Sequence, residues 1–346
     1  MFLNAFVKTF RRTKCLTQTV RLQSVLQKCD EVMSENIKPN EVLVRMLAAP
    51  INPADINTIE GKYPSKPKLP AVAGNEGVAE IIDVGNEVTN LTVGDRIVPL
   101  DSGLGTWRTH AILPSEVAFK IPKDLGIVEA ATLTVNPCTA YRMLKDFVKL
   151  KMGDVVIQNG ANSACGQYVI QLCRLWGIQS VNIVRNRDDI QDLKRFLSSL
   201  GATYVLTEEE LRTTDLFKTG FPAPSLALNC VGGKSALEIM RQLKPGGCIV
   251  TYGGMSKEPV TVPTSALIFK DIKVHGFWMT RWTKNNFDSD ERMVMLEELV
   301  GLMTNKDIHG PAFKIVNFKE YQEAISSLTQ GEGKLGKKYI LGFDNC

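Results

Sequence analysis

The sequence predicts an α/β protein of two domains, one a small β-rich barrel and the other a doubly wound parallel sheet. Three observations carry this reading. The chain has 346 residues, and at about 150 residues per domain that length suits two. Short strand-like runs separated by glycine turns fill the stretch from residue 40 to 100, as in small barrels. From 153 onward strand and helix patterns alternate, the signature of a parallel sheet covered on both faces. Hydrophobic residues at 44% and charged residues at 23% supply material for sizeable cores and exclude a disordered chain.

Charge in the first 28 residues is one-sided. Lys8, Arg11, Arg12, Lys14, Arg21 and Lys28 precede the first acid, Asp30, and Phe2, Leu3, Phe6, Val7 and Phe10 give an apolar side. This resembles an amphipathic mitochondrial presequence over 1–28, with its end left open; a solvated basic first element of the domain is the alternative. The apolar run is too interrupted for a secretory signal. No run of 18 apolar residues occurs, so no membrane span is predicted. A net charge of +4 is too small a surplus to indicate nucleic-acid binding. The three histidines, His110, His275 and His309, form no HExxH pattern, and the eight cysteines form no CxxC pair. No metal is expected, and the cysteines read as small core residues.

The elements follow in order. "EVLVRMLAAPINPADIN" reads as a strand and then a turn at Pro50 and Pro53. Residues 61–70, "GKYPSKPKLP", form a rigid exposed loop, and "GVAEIIDVG" and "DRIVPL" are further strands. Residues 128–149 carry helical spacing around Pro137, which suits a first helical turn with Asn136 just outside it, and mark a domain boundary. Strands at "DVVIQNG", "SVNIVR", "TYVLTE", "SLALNCVGG" and "GGCIVTYGG" alternate with helices at "SACGQYVIQLCRLWG", "DIQDLKRFLSSLG" and 234–243. "IKVHGFWM" is a late strand and 288–304 an amphipathic helix; the tail reads as helix, glycine-lysine turn and a strand that rejoins the first domain.

The first strand of the alternating region runs into Asn159, Gly160, Ala161, Asn162, Ser163, Ala164, Cys165 and Gly166. Small residues there let the backbone approach a pyrophosphate, and the next helix offers free N–H groups and a positive dipole. A complete GxGxxG is missing, and a tight structural turn explains the loop equally well on its own. The end of the next strand carries Arg185, Asn186 and Arg187 before Asp188. Guanidinium groups there suit a 2′-phosphate, whereas an acid would suit the ribose hydroxyls of NAD. Thr251–Met255 and Gly276–Thr280 follow later strands and offer a close backbone approach and an aromatic wall.

The chain resembles the medium-chain dehydrogenase/reductase superfamily, and within it the mitochondrial enoyl-[acyl-carrier-protein] reductase family, also called trans-2-enoyl-CoA reductases. The residues that carry this are "APINPADINTIEGKYPSKPKLPAVAGNEGVAEIIDVG", "GLGTWRTHA", "AATLTVNPCTAYRML", "LALNCVGGKSALEIMRQLKPGG", "TYGGMSKEPV" and "LIFKDIKVHGFW", in segments spanning roughly 40–346. The resemblance implies a GroES-like domain (29–135 with 311–346) and a Rossmann-type domain (136–310). It implies NADPH as cofactor, reduction of enoyl thioesters carried on acyl carrier protein or CoA, a homodimer, and the mitochondrial matrix. Asn75 in "GNE" stands where zinc alcohol dehydrogenases have their histidine. The family's tyrosine corresponds to Tyr63, the implied proton donor. Asn136 matches a cofactor-contacting asparagine. Asn162, Ser163, Ala164 and Cys165 match the pyrophosphate loop, and Arg185, Asn186 and Arg187 the 2′-phosphate site. Tyr252, Gly253, Gly254 and Met255 match the nicotinamide region, as do Phe277, Trp278, Met279 and Thr280, with Trp278 also beside the acyl pocket. Lys337 resembles a cofactor-contacting lysine near the terminus; a solvated place in its lysine run is the alternative.

Two features depart from the pattern. Ala164 stands where relatives often have glycine, and the strand and hairpin before Glu41 look short. Lys62, Lys66, Lys68 and Arg108 form a basic set suited to an acidic carrier protein or its phosphopantetheine. Two rival readings remain at this point: a zinc-free NADPH quinone reductase, and a non-catalytic nucleotide-binding or regulatory protein.

Overall fold

The computed structural model describes residues 2–9, 25–33, 36–329 and 336–343. It divides into two compact units, one of residues 1–135, 300–333 and 337–346, the other of 136–299 and 334–336.

The first unit opens with β1 (Phe2–Thr9) and β2 (Leu26–Met33), an antiparallel pair of eight-residue strands. The pair is longer than the sequence suggests. The stretch that reads as a presequence thus contains β1, while its residues 10–24 lie outside the described residues. There follow β3 (Glu41–Pro50), α1 (Pro53–Ile59), β4 (Ala71–Val72), β5 (Val78–Val84), β6 (Arg96–Pro99), β7 (His110–Pro114), β8 (Ala118–Ile121) and α2 (Ile127–Ala131). β4 joins β1 in a three-stranded sheet. The turn expected after Pro50 is corrected by α1. Pro53 opens that helix, because proline's missing N–H costs nothing in a first turn.

The second unit begins with α3 (Asn136–Asp146), so Asn136 opens this helix rather than lying just outside it. It continues through β9 (Val155–Asn159), α4 (Ala164–Leu175), β10 (Gln179–Val184), α5 (Ile190–Ser199), β11 (Tyr204–Thr207), α6 (Glu208–Thr213), β12 (Leu226–Asn229), α7 (Gly233–Arg241), β13 (Cys248–Thr251), α8 (Thr264–Ile268), β14 (Lys273–Gly276) and α9 (Met279–Asn285). The late strand is shorter than its apolar text predicts. It ends at Gly276, and Met279 turns into α9 and is buried.

The chain leaves this unit within α10 (Asp290–Thr304), after Leu299, whereas the sequence suggests a return at 311. It finishes with β15 (Phe313–Asn317), α11 (Tyr321–Thr329) and β16 (Lys338–Gly342). β15 escapes the sequence reading because it is an edge strand with Phe313, Lys314 and Ile315 exposed, so no inward face stands out.

The sheet of the second unit has the order β11-β10-β9-β12-β13-β14 and is parallel throughout. Every residue of β9 and β12 is buried, as both faces are covered. The core joins Val155, Ile157, Val181, Ile183, Ala227 and Ile249. The strand order reverses between β9 and β12, and such sheets bind ligands at the strand C-termini at that point. In the first unit β16 pairs antiparallel with β3, in a sheet ordered β15-β16-β3-β5-β6-β8 with β7 on β3. The tail strand therefore rejoins the first unit, as the sequence predicts.

Candidate active site

In the first unit the site grows from α1. Asn52 precedes the helix, and its backbone N–H donates to Asp55 Oδ2 at 2.7 Å, which closes the first turn. The helix ends in a tight turn in which the N–H groups of Lys62 and Tyr63 both donate to the Asn57 carbonyl, at 2.8 and 3.1 Å. Tyr63 is thus fixed to α1 by its backbone, and its ring is half-buried.

At the foot of α1 lies a buried polar cluster. The Asn52 amide donates to Glu76 Oε1 at 2.8 Å, and Lys338 Nζ donates to Asn52 Oδ1. Asn75 donates to Asp55 Oδ1 at 2.5 Å. Glu76 Oε2 accepts the N–H of Val135 at 3.1 Å and the Thr134 hydroxyl at 3.4 Å. Asn52, Asp55, Glu76 and Lys338 are all under a tenth exposed. Burial pushes the Asp55 carboxyl up to about 6 and Glu76 up to about 7, against the opposing pull of Lys338 and the amide donors. The amide at the zinc-histidine position is thus committed to a carboxylate, and among the described residues no three His, Cys, Asp or Glu side chains converge on a metal-sized site.

Sequence reasoning missed most of this cluster. Asp55 and Glu76 sit in segments noted for other reasons, and Lys338 looked like one more lysine in a run. The usable signal was the place of Lys338 at the head of the apolar run of β16. Lys338 begins a strand whose first four residues are all buried, while Lys337 just before it is exposed. Of the basic set, Lys62 is paired with Glu60 at 2.7 Å and Lys66 and Lys68 are exposed. Arg108 donates to the Leu104 carbonyl at 2.7 Å, and burial lowers its guanidinium to about 10.

In the second unit β9 delivers the small-residue loop. Ser163 caps α4, its hydroxyl accepting the Gly166 N–H at 3.1 Å. A Cβ on Gly166 would lie 2.5 Å from the Ala161 carbonyl oxygen, so only glycine lets the helix start this close to the loop. Ala164 is half-exposed, so its extra Cβ is accommodated, and Cys165 is buried. A Cβ on Gly336 would meet the Asn162 carbonyl oxygen at 2.4 Å. The tail therefore passes against this loop, and the next residue is the exposed Lys337. Arg185 and Asn186 are exposed beyond β10, and Arg187 is half-buried with its N–H bonded to Asn186 Oδ1 at 3.0 Å.

The loop after β13 is laced to β12. Tyr252 N–H donates to the Asn229 carbonyl and Met255 N–H to the Cys230 carbonyl, each at 2.9 Å. The Tyr252 hydroxyl itself points inward beside the thiols of Cys165 and Cys230, and burial pushes it well above the ordinary phenol range. Tyr252 thus contributes backbone to this loop while its hydroxyl stays in the interior. Gly253 packs near the Cys230 carbonyl, Gly254 faces open space and Met255 is 56% exposed. Phe277 extends the ladder through its N–H to the Thr251 carbonyl at 2.9 Å and stacks edge-on with Phe147. Trp278 caps α9 with Thr280 in its first turn, both half-buried.

A parallel sheet with a small-residue loop at its strand-order reversal in one unit, and a mostly antiparallel sheet in the other, define the class, a medium-chain dehydrogenase. Residues 38–123 match the alcohol dehydrogenase GroES-like domain model, and 164–296 match the zinc-binding dehydrogenase model. The rat mitochondrial enoyl-[acyl-carrier-protein] reductase is 51% identical over 294 residues, covering 84% of this chain and 78% of its own. The human enzyme of that name is 50% identical over 293 residues, with the same coverage. The solved Etr1p/NADP/crotonyl-CoA complex superposes with a TM-score of 0.89 at 34% identity, covering 99% of this chain and 100% of that one. The chain belongs to the mitochondrial enoyl-[acyl-carrier-protein] reductase family.

Proposed function

We infer that this chain reduces the double bond of trans-2-enoyl thioesters with NADPH. The single observation that carries this is its likeness, at 51% identity over 294 residues, to a named enoyl-[acyl-carrier-protein] reductase. The residues fit the cofactor. The Gly166 cradle and the α4 N-terminus suit a pyrophosphate, and Arg185 and Arg187 suit a 2′-phosphate. Asn136, Asn162, Ser163, Ala164, Cys165, Asn186, Lys337 and the 252–255 and 277–280 segments complete the proposed binding set. When bound, NADPH supplies a hydride for the β-carbon of the enoyl group.

Negative charge then develops on the thioester oxygen, and a proton must reach the α-carbon. Tyr63 is our proposed proton donor, since a phenol hydroxyl can donate and its backbone is pinned to α1. Asp55, Glu76 and Lys338 hold the foot of that helix. Asn75 contributes an amide to Asp55 in place of a metal ligand.

The substrate arrives on acyl carrier protein or CoA, and the exposed Lys66 and Lys68, with Lys62 and Arg108, are the groups we assign to its acidic carrier. We place the protein in mitochondria, in the matrix, with the basic N-terminal stretch as its address. Among the described residues no helix is long and apolar enough to cross a membrane. A homodimer is supported by the edge strand β14, exposed along its length, and by Leu267, Ile268 and Phe269 on and beside α8, which are 48%, 67% and 81% exposed. The related Etr1p/Etr2p from Candida tropicalis is a heterodimer.

The test is anaerobic incubation of purified protein with NADPH and crotonyl thioester, with a quinone in parallel. Enoyl-dependent NADPH oxidation that survives a chelator is the expected result. Turnover of the quinone alone would replace this reading with a quinone reductase.

A further inference from the structure

The C-terminal ends of β9, β12 and β13 are joined by side chains as well as by the sheet ladder. Asn159, the last residue of β9, and Asn229, the last of β12, are 1% and 0% exposed. Asn159 Nδ2 donates to Asn229 Oδ1 at 2.8 Å and to Ser235 Oγ, in α7, at 3.2 Å, while its Oδ1 accepts the Cys230 N–H at 2.9 Å. Asn229 Oδ1 also accepts the N–H groups of Gly232 and Val231, at 3.0 and 3.2 Å. Asn229 Nδ2 donates onward to Thr251 Oγ1 at 3.1 Å.

Two buried amides at neighbouring strand ends are a costly choice, and they are separate from the Gln158–Asn182 pair that links β9 to β10 further inside the sheet. A buried amide must find partners for its donors and its acceptor, and the loss of any one is penalised. The chain of bonds starts where the pyrophosphate loop leaves β9 and ends where the 252–255 loop leaves β13. It is reinforced between them by the backbone bonds of Tyr252 and Met255 to β12. The bonds of both asparagines go to other residues of the unit.

We propose that Asn159 and Asn229 are positioning residues that set the spacing between the pyrophosphate loop and the 252–255 loop, so that both halves of an extended dinucleotide are gripped together. This rests on the reading of the chain as an NADPH enzyme. It requires that breaking the link weakens a ligand spanning both loops and spares one confined to the adenosine half.

Calorimetric titration of wild type, Asn229→Ala and Thr251→Val with NADPH, and separately with adenosine 2′,5′-bisphosphate, tests this. Asn229→Ala is expected to weaken NADPH about ten-fold or more, and Thr251→Val, which cuts a single bond, about three- to ten-fold. The bisphosphate should stay within about two-fold in both, since it needs only the first loop and the arginines. Equal losses of the two ligands, or no loss of either, would overturn the proposal. If Asn229→Ala fails to fold, the Thr251→Val pair of titrations decides by the same criterion. Wild-type protein that binds no NADPH would overturn the cofactor reading and this proposal with it, whereas normal wild-type binding with equal losses overturns the proposal alone.

Discussion

Each unit buries a polar network beside its working loops, and the two networks are built from different chemistry. In the first unit the buried groups are ionisable: Asp55, Glu76 and Lys338, bridged by Asn52. In the second they are neutral: Asn159 and Asn229, with Ser235 and Thr251. A neutral amide network keeps its bonds at any pH the fold survives. A charged one changes with proton uptake, and removal of one member leaves a bare charge in a low-dielectric interior. The network of the first unit is therefore the pH-sensitive and mutation-sensitive one, and the amide network of the second is insensitive to pH.

The largest expected effect is on chemistry in the first unit. Tyr63→Phe should lower enoyl-dependent NADPH oxidation by about 10²- to 10⁴-fold, the usual span of a general acid, while circular dichroism stays unchanged. Full turnover in this variant would remove Tyr63 from its proposed role. Next in size, Lys338→Met strands two buried carboxyls and should cost about 3–5 kcal/mol of stability in urea titration. A cost below about 1 kcal/mol would mean that the cluster is already neutral and that the two networks differ little.

In the nucleotide unit, replacing both Arg185 and Arg187 by alanine should raise the KM for NADPH by about ten- to a hundred-fold, from the loss of charge-assisted bonds, and leave NADH little changed. Equal effects on the two cofactors would point away from a 2′-phosphate site. A pH series separates the units more finely. Asp55 and Glu76 sit at about 6 and about 7, above their ordinary 3.8 and 4.5. Folding therefore tightens their hold on the proton. Their stabilising contribution is complete in acid and fades as pH rises from the ordinary values through the folded ones. Stability should fall across that window, and Glu76→Gln should flatten the slope by about 1 kcal/mol per pH unit. An unchanged slope in the variant would assign the pH dependence elsewhere. The smallest effect belongs to Ala164→Gly. The Ala164 side chain is half-exposed, so NADPH binding measured by fluorescence should change by less than about three-fold.

The second unit was far more legible in the sequence than the first. Its central strands β9 and β12 are buried on both faces, and its helices carry clear spacing, so order and approximate bounds followed from local text. Errors fell where local signal is weak. β15 is an edge strand without an inward face, and α1 hides behind two prolines. The late strand stops early because Met279 is drawn into α9. Among the proposed site residues, the loop at 160–166 and the arginines beyond β10 were visible because each follows a strand. Asp55, Glu76 and Lys338 were not, because their meaning comes from convergence. Lys338 and Asn52 are 286 positions apart.

The sequence by itself determined the two-domain α/β class, the alternating nucleotide unit, the returning tail strand, the family and the tyrosine on its loop. All of these are local patterns or likenesses along the chain. Tertiary structure alone decided that Asn75 bonds Asp55, that Lys338 is buried against Asn52, that the Tyr252 hydroxyl faces the interior, and that asparagine amides tie the ends of β9, β12 and β13. The physical reason is that burial and hydrogen-bond partnership belong to pairs of distant residues. A lysine is a solvated charge or the balance of two buried carboxyls according to what the fold places around it.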